Sequence, residues 1–295
     1  MAPFQRLIRF LAQDSQIYYG SPIMASHTSD IALAKTAHII TGDIFSSYTI
    51  TTRVAQIVRL LSPIAPSQIR TVRCLGLNYA RHAHEAAMAI PKYPVLFHKP
   101  VTSISGPFDS IPVPAAAQEQ DDDGQVSLDY ECELVIVIGK EAKDVSEADA
   151  LSHILGYCVG NDVSQRLWQL QRGGGQWSLG KCFDGWGPIG PGLVSPELIS
   201  DPQTLTISTR VNEVEVQRSN TADMIFDVAK TISFLSRGTT LLPGDVIFTG
   251  TPEGVAMGRR PQPWLKHGDV IRVELEGVGS CTNRVEFAND GNARL

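Results

Sequence analysis

Two glutamates with one residue between them stand at the start of an apolar stretch of the chain. Glu131 and Glu133 belong to D-Y-E-C-E-L at residues 129–134, which continues directly into V-I-V-I-G at residues 135–139. A short β-branched run that ends at glycine is typical of a strand covered on both faces. Because side chains alternate along a strand, both carboxylates point the same way, about 7 Å apart along the chain.

These two carboxylates need a chemical reason to enter a core. Like charges in an apolar interior lose hydration and repel each other, so they must be protonated, paired with bases or bound to a cation. A solvated strand start is the alternative, and an isolated pair favours it. Asp162 follows a strand-like run at residues 154–159. It is either a third oxygen ligand or, as this segment alone favours, the N-cap of a helix.

A histidine and a glutamate stand three residues apart in residues 78–87, which have helix-forming composition after a turn-favouring asparagine. On a helical turn His82 and Glu85 lie on one face. A carboxylate beside an imidazole fixes its tautomer and raises its basicity, which produces a general base near neutral pH. An exposed helical ion pair is the alternative interpretation, and His84 points elsewhere.

Two lysines and one turn are further candidates for a site. Lys99 ends a strand that Pro100 cannot continue, so its ammonium either meets a substrate carboxylate or lies in solvent. Lys181 stands in glycine-flanked, open backbone, where a solvated loop lysine is the alternative. The sequence T-G-T-P-E-G at residues 249–254 follows a strand. Its small residues offer amides and hydroxyls to a carboxylate or oxyanion, although a tight turn would also use them.

Two loops lie between these candidates. The acidic residues 118–124 lack the spacing of a calcium-binding loop and are predicted to be a solvated loop. The segment R-G-G-G-Q-W at residues 172–177 is too rich in glycine to be rigid. We predict a flexible lid there, with a plain connector as the alternative.

Composition limits the class of protein. The 295 residues are 43% hydrophobic and 19% charged, which suits one large domain, or a large and a small one, each with a core. The formal charge of -6 argues against nucleic acid or an anionic membrane surface as the partner, because both attract basic patches. A small anionic substrate stays compatible if a metal and a few bases concentrate positive charge locally.

The five cysteines are scattered and show no C-x-x-C spacing, so neither a disulfide framework nor a zinc site is indicated. A reducing compartment, the cytoplasm, fits best. No apolar run approaches the roughly 20 residues of a membrane span, and residues 1–11 lack the apolar core of a secretory signal. Arg6 and Arg9, with no acid before Asp14, leave a mitochondrial location as the alternative.

Several elements are predicted from pattern alone. Short β-rich patches in residues 4–19 and 39–52 indicate a small N-terminal sheet. Two prolines in residues 60–66 mark a domain boundary, so we divide the chain into residues 1–68 and 69–295. The other predicted elements are a strand at residues 71–77, a capping box at residues 146–149, a hairpin at residues 205–216 that turns at Asn212 and Glu213, a helix that carries Ile225, Val228, Ile232 and Leu235 after a cap at Asn220 or Thr221 and stops at Gly238, and a last strand that reaches Glu276.

Six segments stand together in one order: residues 76–79, His82 with Glu85, D-Y-E-C-E-L at residues 129–134, G-N-D-V-S-Q-R at residues 160–166, G-K-C-F-D at residues 180–184 and G-D-V-I-F-T-G-T-P-E-G-V at residues 244–255. Each is weak alone. Together they resemble the fumarylacetoacetate hydrolase family, and especially its short members that act as acylpyruvate hydrolases, oxaloacetate decarboxylases or tautomerases. The resemblance spans essentially the whole chain.

The resemblance implies an α+β, strand-rich fold, a mixed β-sandwich roll with a small N-terminal domain, and a homodimer. It implies Mg²⁺ or Mn²⁺ as the cofactor, because oxygen-only ligands suit a hard divalent cation. The residues that it assigns are Glu131, Glu133 and Asp162 as metal ligands, His82, Glu85 and Lys181 as catalytic residues, and Lys99, Arg166, Gly250 and Thr251 as substrate contacts. The acidic loop and the triple glycine depart from the short relatives, which leaves the identity of the substrate open.

The resemblance also implies the reaction. We expect a metal-dependent enzyme that breaks a carbon-carbon bond in a 2-oxo or 1,3-dicarbonyl acid and passes through an enolate that the cation stabilises. In a hydrolase, His82 oriented by Glu85 would activate water, and Lys181 would add positive charge at the developing oxyanion. A decarboxylase or a keto-enol tautomerase would use the same site. A catalytically idle metal-binding protein is the alternative from another class.

Overall fold

The computed structural model describes residues 4–288. Residues 1–3, where no secretory signal was predicted, and residues 289–295 of the predicted second domain lie outside the described residues. The four N-terminal strands are β1 (Arg6–Ala12), β2 (Ile17–Pro22), β3 (Thr36–Gly42) and β4 (Tyr48–Leu60). These four strands pair with one another in antiparallel fashion, which confirms the predicted N-terminal sheet.

The N-terminal sheet is not isolated from the rest of the chain. The next strands are β5 (Val72–Gly76), β6 (Val95–Lys99), β7 (Ile104–Ser105), β8 (Ile111–Val113), β9 (Leu128–Asp129), β10 (Cys132–Ile138), β11 (Ala142–Lys143), β12 (Ile154–Asn161), β13 (Ser164–Gln165) and β14 (Gly187–Val194). β1 pairs with β14 through Arg6 and Leu7, so one sheet runs from the N-terminal strands into the remainder. The division at residue 68 stays a prediction.

Two large sheets form the body of the described residues. The remaining strands are β15 (Thr206–Val211), β16 (Val214–Asn220), β17 (Thr240–Leu241), β18 (Val246–Phe248), β19 (Val270–Leu275) and β20 (Gly279–Phe287). The larger sheet has the order β2-β3-β4-β1-β14-β12-β10-β18-β5-β6, with β7 added beside β14, and the smaller has the order β16-β15-β19-β20-β8. Both mix parallel with antiparallel pairs.

The core lies where the two sheets face each other. β10, β12 and β14 of the larger sheet contact β15, β19 and β20 of the smaller one. Every residue of β10 is buried, as the apolar run after Glu133 predicts for a strand covered on both faces. Because β18 runs parallel to β5, the loops that follow these two strands leave the sheet at the same edge. That edge carries the candidate site.

The α-helices of residues 4–288 are short, and they are α1 (Ala80–Glu85), α2 (Glu147–Ala150) and α3 (Val228–Leu235). The capping box is confirmed, since the Ser146 hydroxyl accepts a hydrogen bond from the backbone N–H of Asp149 at 3.3 Å. The predicted hairpin is also confirmed, with Asn212 and Glu213 at φ of 48° and 66° between β15 and β16. Within the described residues, every helix is too short or too polar to span a lipid bilayer.

α3 begins later than predicted. The apolar spacing placed Ile225 inside this helix and the cap at Asn220 or Thr221, and both placements were wrong. The helix starts at Val228, because the carboxylate of Asp227 accepts a hydrogen bond from a backbone N–H three residues further on at 2.7 Å. Asn220 caps only a single 3-10 turn. Two capping side chains compete in this segment, and apolar spacing does not reveal which of them starts the helix.

Candidate active site

Three carboxylates converge where the start of β10 lies beside the end of β12. The backbone N–H of Glu131 donates to Asn161 Oδ1 at 2.9 Å, and the N–H of Asp162 donates to the carbonyl of Glu131 at 2.9 Å. Ligand atoms of Glu131, Glu133 and Asp162 all lie within 4.8 Å of one another, and all three residues are buried. The structure therefore brings the three predicted metal ligands together.

Lys181 is buried among these carboxylates. Its ammonium donates to Glu131 Oε2 at 3.0 Å, Asp162 Oδ2 at 2.7 Å and Ser164 Oγ at 2.6 Å. These bonds use all three of its N–H groups. Its positive charge therefore lies beside Glu131 and Asp162, and a direct hydrogen bond from Lys181 to a substrate oxygen requires one of the three bonds to break.

Lys99 approaches the same cluster from its buried side. Its ammonium lies 2.7 Å from Asp162 Oδ1 and donates to the backbone carbonyls of Lys181 and Trp186, the latter at 3.0 Å. The side chain is completely buried and is absent from the wall of the cavity described below. This position does not support the sequence-based assignment of Lys99 to substrate binding. It suits a residue that holds Asp162 in place.

Arg166 joins the carboxylate cluster to a fourth buried acid. Its Nε and Nη2 donate to Asp129 Oδ2 at 2.9 and 2.7 Å, and its Nη1 donates to Gln169 Oε1 at 2.8 Å. The same Nη1 lies 2.6 Å from Glu131 Oε1. The neighbouring Asp129 and Glu131 outweigh the effect of burial and raise the pKa of Arg166.

Sequence reasoning missed Asp129 as a site residue. Its carboxylate accepts the backbone N–H groups of Tyr130, Ala256 and Met257 at 2.7 to 3.0 Å, in addition to both bonds from Arg166. A signal was present, because residues 129, 131 and 133 follow the same alternation. Gln169, three residues after Arg166, was also missed.

The predicted base is formed on α1. His82 Nδ1 lies 3.2 Å from Glu85 Oε2, and the backbone N–H of Gly254 lies 3.0 and 3.1 Å from the two Glu85 oxygens. Because a carboxylate accepts at Nδ1, this nitrogen carries the hydrogen and Nε2 keeps the lone pair of a base. A Cβ added at Gly258 would lie 2.4 Å from Glu85 Cδ, so only glycine leaves room for this arrangement.

The turn at residues 249–254 works differently from the prediction. The backbone N–H of Gly250 donates to Glu133 Oε2 at 2.6 Å, and that of Gly254 donates to Glu85. These two amides are therefore not free for an oxyanion; they orient one predicted metal ligand, Glu133, and the partner of the predicted base, Glu85. Gly250 has φ of +94°, a conformation that side-chain-bearing residues avoid. Thr251 does line the cavity.

A cavity of about 40 Å³ adjoins the carboxylate cluster. Its polar walls are His82, Glu131, Arg166, Gln169, Lys181 and Thr251, and its other walls are Leu75, Gly76, Leu77, Ala86, Met88, Phe97, Leu170, Trp177 and Met257. A base, two cations and a carboxylate thus face a single small space. Such a convergence of charged groups in a concave site is typical of an active site.

Comparison with known proteins identifies the family of this chain. Residues 71–286 match the family model described as fumarylacetoacetate (FAA) hydrolase, C-terminal. The chain belongs to the fumarylacetoacetate hydrolase family. The predicted resemblance is therefore confirmed, and so is the strand-rich fold class.

Relatives in the fumarylacetoacetate hydrolase family carry several names. The chain is 48% identical over 237 residues to a fumarylacetoacetate hydrolase domain-containing protein 2 homolog of Dictyostelium discoideum, which covers 77% of this chain and 74% of that protein. It is 44% identical over 228 residues to the mitochondrial oxaloacetate tautomerase fahd2 of Xenopus laevis, covering 77% and 68%. It is 49% identical over 215 residues to a putative hydrolase of Burkholderia cenocepacia, covering 72% and 73%.

Solved structures of two isomerases resemble the whole fold. A 2-hydroxyhepta-2,4-diene-1,7-dioate isomerase of Mycobacterium marinum aligns with a TM-score of 0.80 at 35% identity, over 97% of this chain and 100% of that one. A 5-carboxymethyl-2-hydroxymuconate delta-isomerase of Mycobacterium smegmatis aligns with a TM-score of 0.79 at 36% identity, over 96% and 100%. The named relatives are thus a tautomerase, isomerases and a putative hydrolase.

The carboxylate cluster fits the divalent cation that the family implies. Glu133 Oε1 is buried without a hydrogen-bond partner, and Asp162 Oδ1 is close to Lys99 without hydrogen-bond alignment. Two buried carboxylate oxygens without a hydrogen bond are unusual in a core unless a further group binds there. An oxygen-only ligand set suits Mg²⁺, Mn²⁺ or Ca²⁺ rather than a thiophilic metal.

The pKa values of the two glutamates differ strongly. Burial, with the charges of Asp162 and Glu131, holds the pKa of Glu133 well above its ordinary value. Burial acts in the same direction on Glu131, but Lys181 and Arg166 overcome it and lower the pKa of Glu131 to about 2. Glu133 is therefore the ligand whose negative charge the protein leaves uncompensated.

The last residue of the predicted lid, Trp177, and the π-helix that precedes the lid line one wall of the cavity. Residues Trp168–Arg172 form a π-helix, and Gln169, Leu170 and Trp177 of this region face the cavity. The outer side is held by an ion pair between Arg172 and Glu119 of the acidic loop. Small-molecule sites typically enclose about 300–1,000 Å³, so a space of about 40 Å³ must widen to admit a dicarbonyl acid.

The first prediction concerns Glu133 without a divalent cation. A raised folded-state pKa stabilises the protein below the ordinary glutamate pKa, and this contribution is lost as pH rises through the raised value. We expect the Tm in chelator to fall as pH rises, and to fall less in Glu133→Gln. Mg²⁺ should raise the Tm of the unmodified protein and of the control variant Glu274→Gln, but not that of Glu133→Gln. Glu274→Gln, on the surface, is the matched control, and equal pH profiles for all three proteins would contradict the expectation.

Lys99 provides a second prediction. Removing one partner of a buried ion pair typically costs about 3–5 kcal/mol, so Lys99→Met should lower the free energy of unfolding by about that amount. Lys230→Met breaks a surface pair with Asp227 and should cost less than about 1 kcal/mol. Urea unfolding measures both. A fully stable Lys99→Met with a raised KM would instead support the original assignment to substrate binding.

The third prediction concerns the lid. Gly174 and Gly175 have φ of +60° and +84°, and a Cβ added at either residue would have no other atom within 4 Å, so little packing holds them. Hydrogen exchange across residues 171–177 should slow when oxalate, an enolate mimic, is added with Mg²⁺. The hairpin turn at residues 211–214 should exchange equally in both states. Unchanged exchange in the segment, with oxalate binding shown separately, would leave it as a connector.

Proposed function

We propose that this protein is a divalent-cation-dependent enzyme that interconverts the keto and enol forms of a 2-oxo acid, with oxaloacetate as the first substrate to test. The observation that carries the proposal is the position of His82. An imidazole oriented by Glu85 faces the same small cavity as Glu131 and Lys181. Keto-enol exchange needs one well-placed proton carrier and a site that favours a negatively charged oxygen.

The cation would be held by Glu131, Glu133 and Asp162. When bound, Mg²⁺ or Mn²⁺ supplies a Lewis acid that polarises the carbonyl of a 2-oxo acid. The side chains around it supply the rest of the binding site. Thr251 and Arg166 line the cavity beside these ligands and provide polar contacts for the carboxylate of the substrate.

His82 would move the proton. Its Nε2 removes a proton from the carbon next to the carbonyl, and the electron pair of the broken C–H bond becomes part of the carbon-carbon double bond of the enolate. The imidazolium then returns its proton to the enolate oxygen, which completes the enol; the reverse sequence restores the keto form. The Glu85 carboxylate stabilises the transient positive charge on the ring.

Lys181 and Arg166 would act on charge rather than on protons. Lys181 donates all three of its hydrogens to Glu131, Asp162 and Ser164, so its contribution to the oxyanion is electrostatic unless a bond is exchanged. Arg166 is fixed by Asp129 and faces Glu131. In a site closed to water, fixed charges of this kind stabilise a developing negative charge strongly.

Hydrolysis of a carbon-carbon bond in an acylpyruvate is the second candidate function. The same base could activate a water molecule, and a relative with 49% identity is named a putative hydrolase. Tautomerisation is preferred because it requires no water next to the substrate, and because a relative with 44% identity is named an oxaloacetate tautomerase. Decarboxylation of oxaloacetate would draw on the same cation.

The remaining expectations also stay proposals. We propose Mg²⁺ or Mn²⁺ as the cofactor, a homodimer as the assembly and a small 2-oxo or dicarbonyl acid as the ligand, with neither nucleic acid nor membrane as a partner. The cytoplasm is the proposed location. A mitochondrial location is the alternative, and the name of the Xenopus relative includes that compartment.

Product analysis separates the candidate reactions. The Mg²⁺-loaded protein is incubated with oxaloacetate and with a panel of acylpyruvates in D₂O and followed by NMR. Faster enol-keto conversion and faster deuterium entry at carbon 3 than without protein indicate tautomerisation. Release of pyruvate and a second carboxylic acid from acylpyruvates indicates hydrolysis, and pyruvate formed from oxaloacetate indicates decarboxylation. No acceleration of any of these with metal bound would refute the proposed function.

The fourth prediction tests the base. Loss of a general base typically slows a reaction about 10²- to 10⁴-fold, so His82→Ala should slow tautomerisation and acylpyruvate hydrolysis by that range and affect decarboxylation less. Glu85→Gln should fall between, because the imidazole remains without its orienting charge. His84→Ala, an exposed neighbour on α1, should keep full activity. Mn²⁺ binding must be equal in all variants. Unchanged rates in His82→Ala would remove this residue from the mechanism.

A further inference from the structure

The side-chain amide of Gln217 connects the smaller sheet to two segments of the active site. Gln217 lies on β16 and is 2% exposed. Its Oε1 accepts hydrogen bonds from the backbone N–H of Cys132 at 3.1 Å and from Thr209 Oγ1 at 2.8 Å. Its Nε2 donates to Thr251 Oγ1 at 3.0 Å and to the carbonyl of Pro252 at 2.9 Å. All four positions of the amide are used.

Two backbone groups fix which end of this amide is which. The N–H of Cys132 can only donate, so the oxygen of Gln217 must face it. The carbonyl of Pro252 can only accept, so the nitrogen must lie on the other side. In the flipped orientation the amide nitrogen would face the N–H of Cys132 and the amide oxygen would face the carbonyl of Pro252, so neither hydrogen bond would form. The orientation of the Gln217 amide is therefore fixed by these two backbone groups.

The direction of Gln217 determines the direction of Thr251. The Thr251 hydroxyl accepts from Gln217 Nε2, so a lone pair of its oxygen is occupied on the buried side. Its hydrogen has no protein acceptor among residues 4–288, and the residue lines the active-site cavity. A hydroxyl has one hydrogen to donate. That hydrogen is available to a ligand in the cavity that also contains His82 and Lys181.

We propose that Gln217 is a positioning residue that holds the Thr251 hydroxyl as a hydrogen-bond donor toward an anionic oxygen of the substrate. This inference rests on the proposed function, because it assigns the hydroxyl to the carboxylate or enolate oxygen of a 2-oxo acid. Because one of the two lone pairs of the Thr251 hydroxyl is occupied on the buried side, its hydrogen is the group that it offers first to the cavity, and this favours an oxygen anion as the ligand. Hydrogen bonds to charged groups are the stronger class.

A purely structural role for Gln217 predicts a different result. If the amide only holds β16 against β10 and the turn after β18, the loss of any of its bonds should act on stability, and ligand affinity should not follow the hydroxyl of Thr251. Thr209 distinguishes the two roles. Its bond to Gln217 Oε1 belongs to the same network but lies on the side away from Thr251.

Oxalate is the probe, and its affinity for the Mg²⁺-loaded protein is measured by calorimetry. Thr251→Val removes the hydroxyl and should weaken oxalate binding about tenfold or more, as expected for a hydrogen bond to a charged group. Gln217→Glu has the same shape but accepts at both oxygens, so the Thr251 hydroxyl turns toward residue 217 and away from the cavity. It should lose about as much affinity as Thr251→Val. Thr251→Ser should bind more tightly than Thr251→Val.

The double variant separates the hydroxyl from the added charge. If Gln217→Glu acts through Thr251, the double variant with Thr251→Val should bind oxalate no more weakly than either single variant. Additive losses would overturn the proposal, since the new carboxylate would then act by repulsion alone. Thr209→Val should stay within about twofold of the unmodified protein. A loss there equal to that of Gln217→Glu would assign the network to folding and also overturn the proposal.

Two controls keep the result interpretable. Circular dichroism and Mn²⁺ binding show whether each variant folds and keeps its cation. If Gln217→Glu does not fold, Gln217→Met frees the hydroxyl to rotate and should lose part of the affinity that Thr251→Val loses; unchanged affinity in Gln217→Met would contradict the proposal. If the unmodified protein binds no oxalate and turns over no 2-oxo acid, the proposed function itself fails. If it binds oxalate but Thr251→Val binds equally well, only the assignment of Gln217 fails.

Discussion

The structure depends on burying unequal numbers of opposite charges in one compartment. The acids are Asp129, Glu131, Glu133 and Asp162, and the bases are Lys99, Arg166 and Lys181. Four carboxylates face three cations, and the uncompensated one is Glu133, whose pKa is raised by burial and by its acidic neighbours. An unpaired buried charge costs several kcal/mol, a large part of the roughly 5–15 kcal/mol that stabilises a typical domain. A proton or a divalent cation must therefore balance the cluster, and this requirement ties folding to the chemistry of the site.

One loop orients several parts of this compartment. The backbone amides of residues 249–257 donate to Glu133, to Glu85 and to Asp129. Through these bonds a single segment fixes a metal ligand, the partner of the base and the anchor of Arg166. Backbone donors are suited to this task because they have no rotamers to lose on folding. The parallel pair β18 and β5 places this loop beside α1, so base and ligands share a common support.

The sequence predicted the site better than it predicted how the site is held. Residues 131, 133 and 162 and the dyad on α1 were found because their spacing and their family motifs are local. Lys99 was assigned to substrate binding by the family resemblance, and its position at a strand end alone favoured a solvated lysine, yet it is buried behind Asp162. The amides of Gly250 and Gly254 were predicted to be free. Their acceptors lie more than a hundred residues away in the chain, so nothing in the local sequence indicates these bonds. Tertiary partners of this kind leave no periodic signal, and Gln217 has none at all.

The pairing of β1 with β14 sets a limit on how this chain can diverge. The family region begins at residue 71, so the N-terminal strands lie before it. β1 covers the side of β14 that β12 leaves open at residues 193 and 194. An uncovered strand edge is a template for self-association. The N-terminal strands thus protect this edge of the larger sheet through backbone pairing, and the side chains of Leu7, Ile8 and Phe10 on β1 are also buried in the core. Deletion of these strands would therefore expose an unpaired strand edge and apolar core surface together, and both promote aggregation.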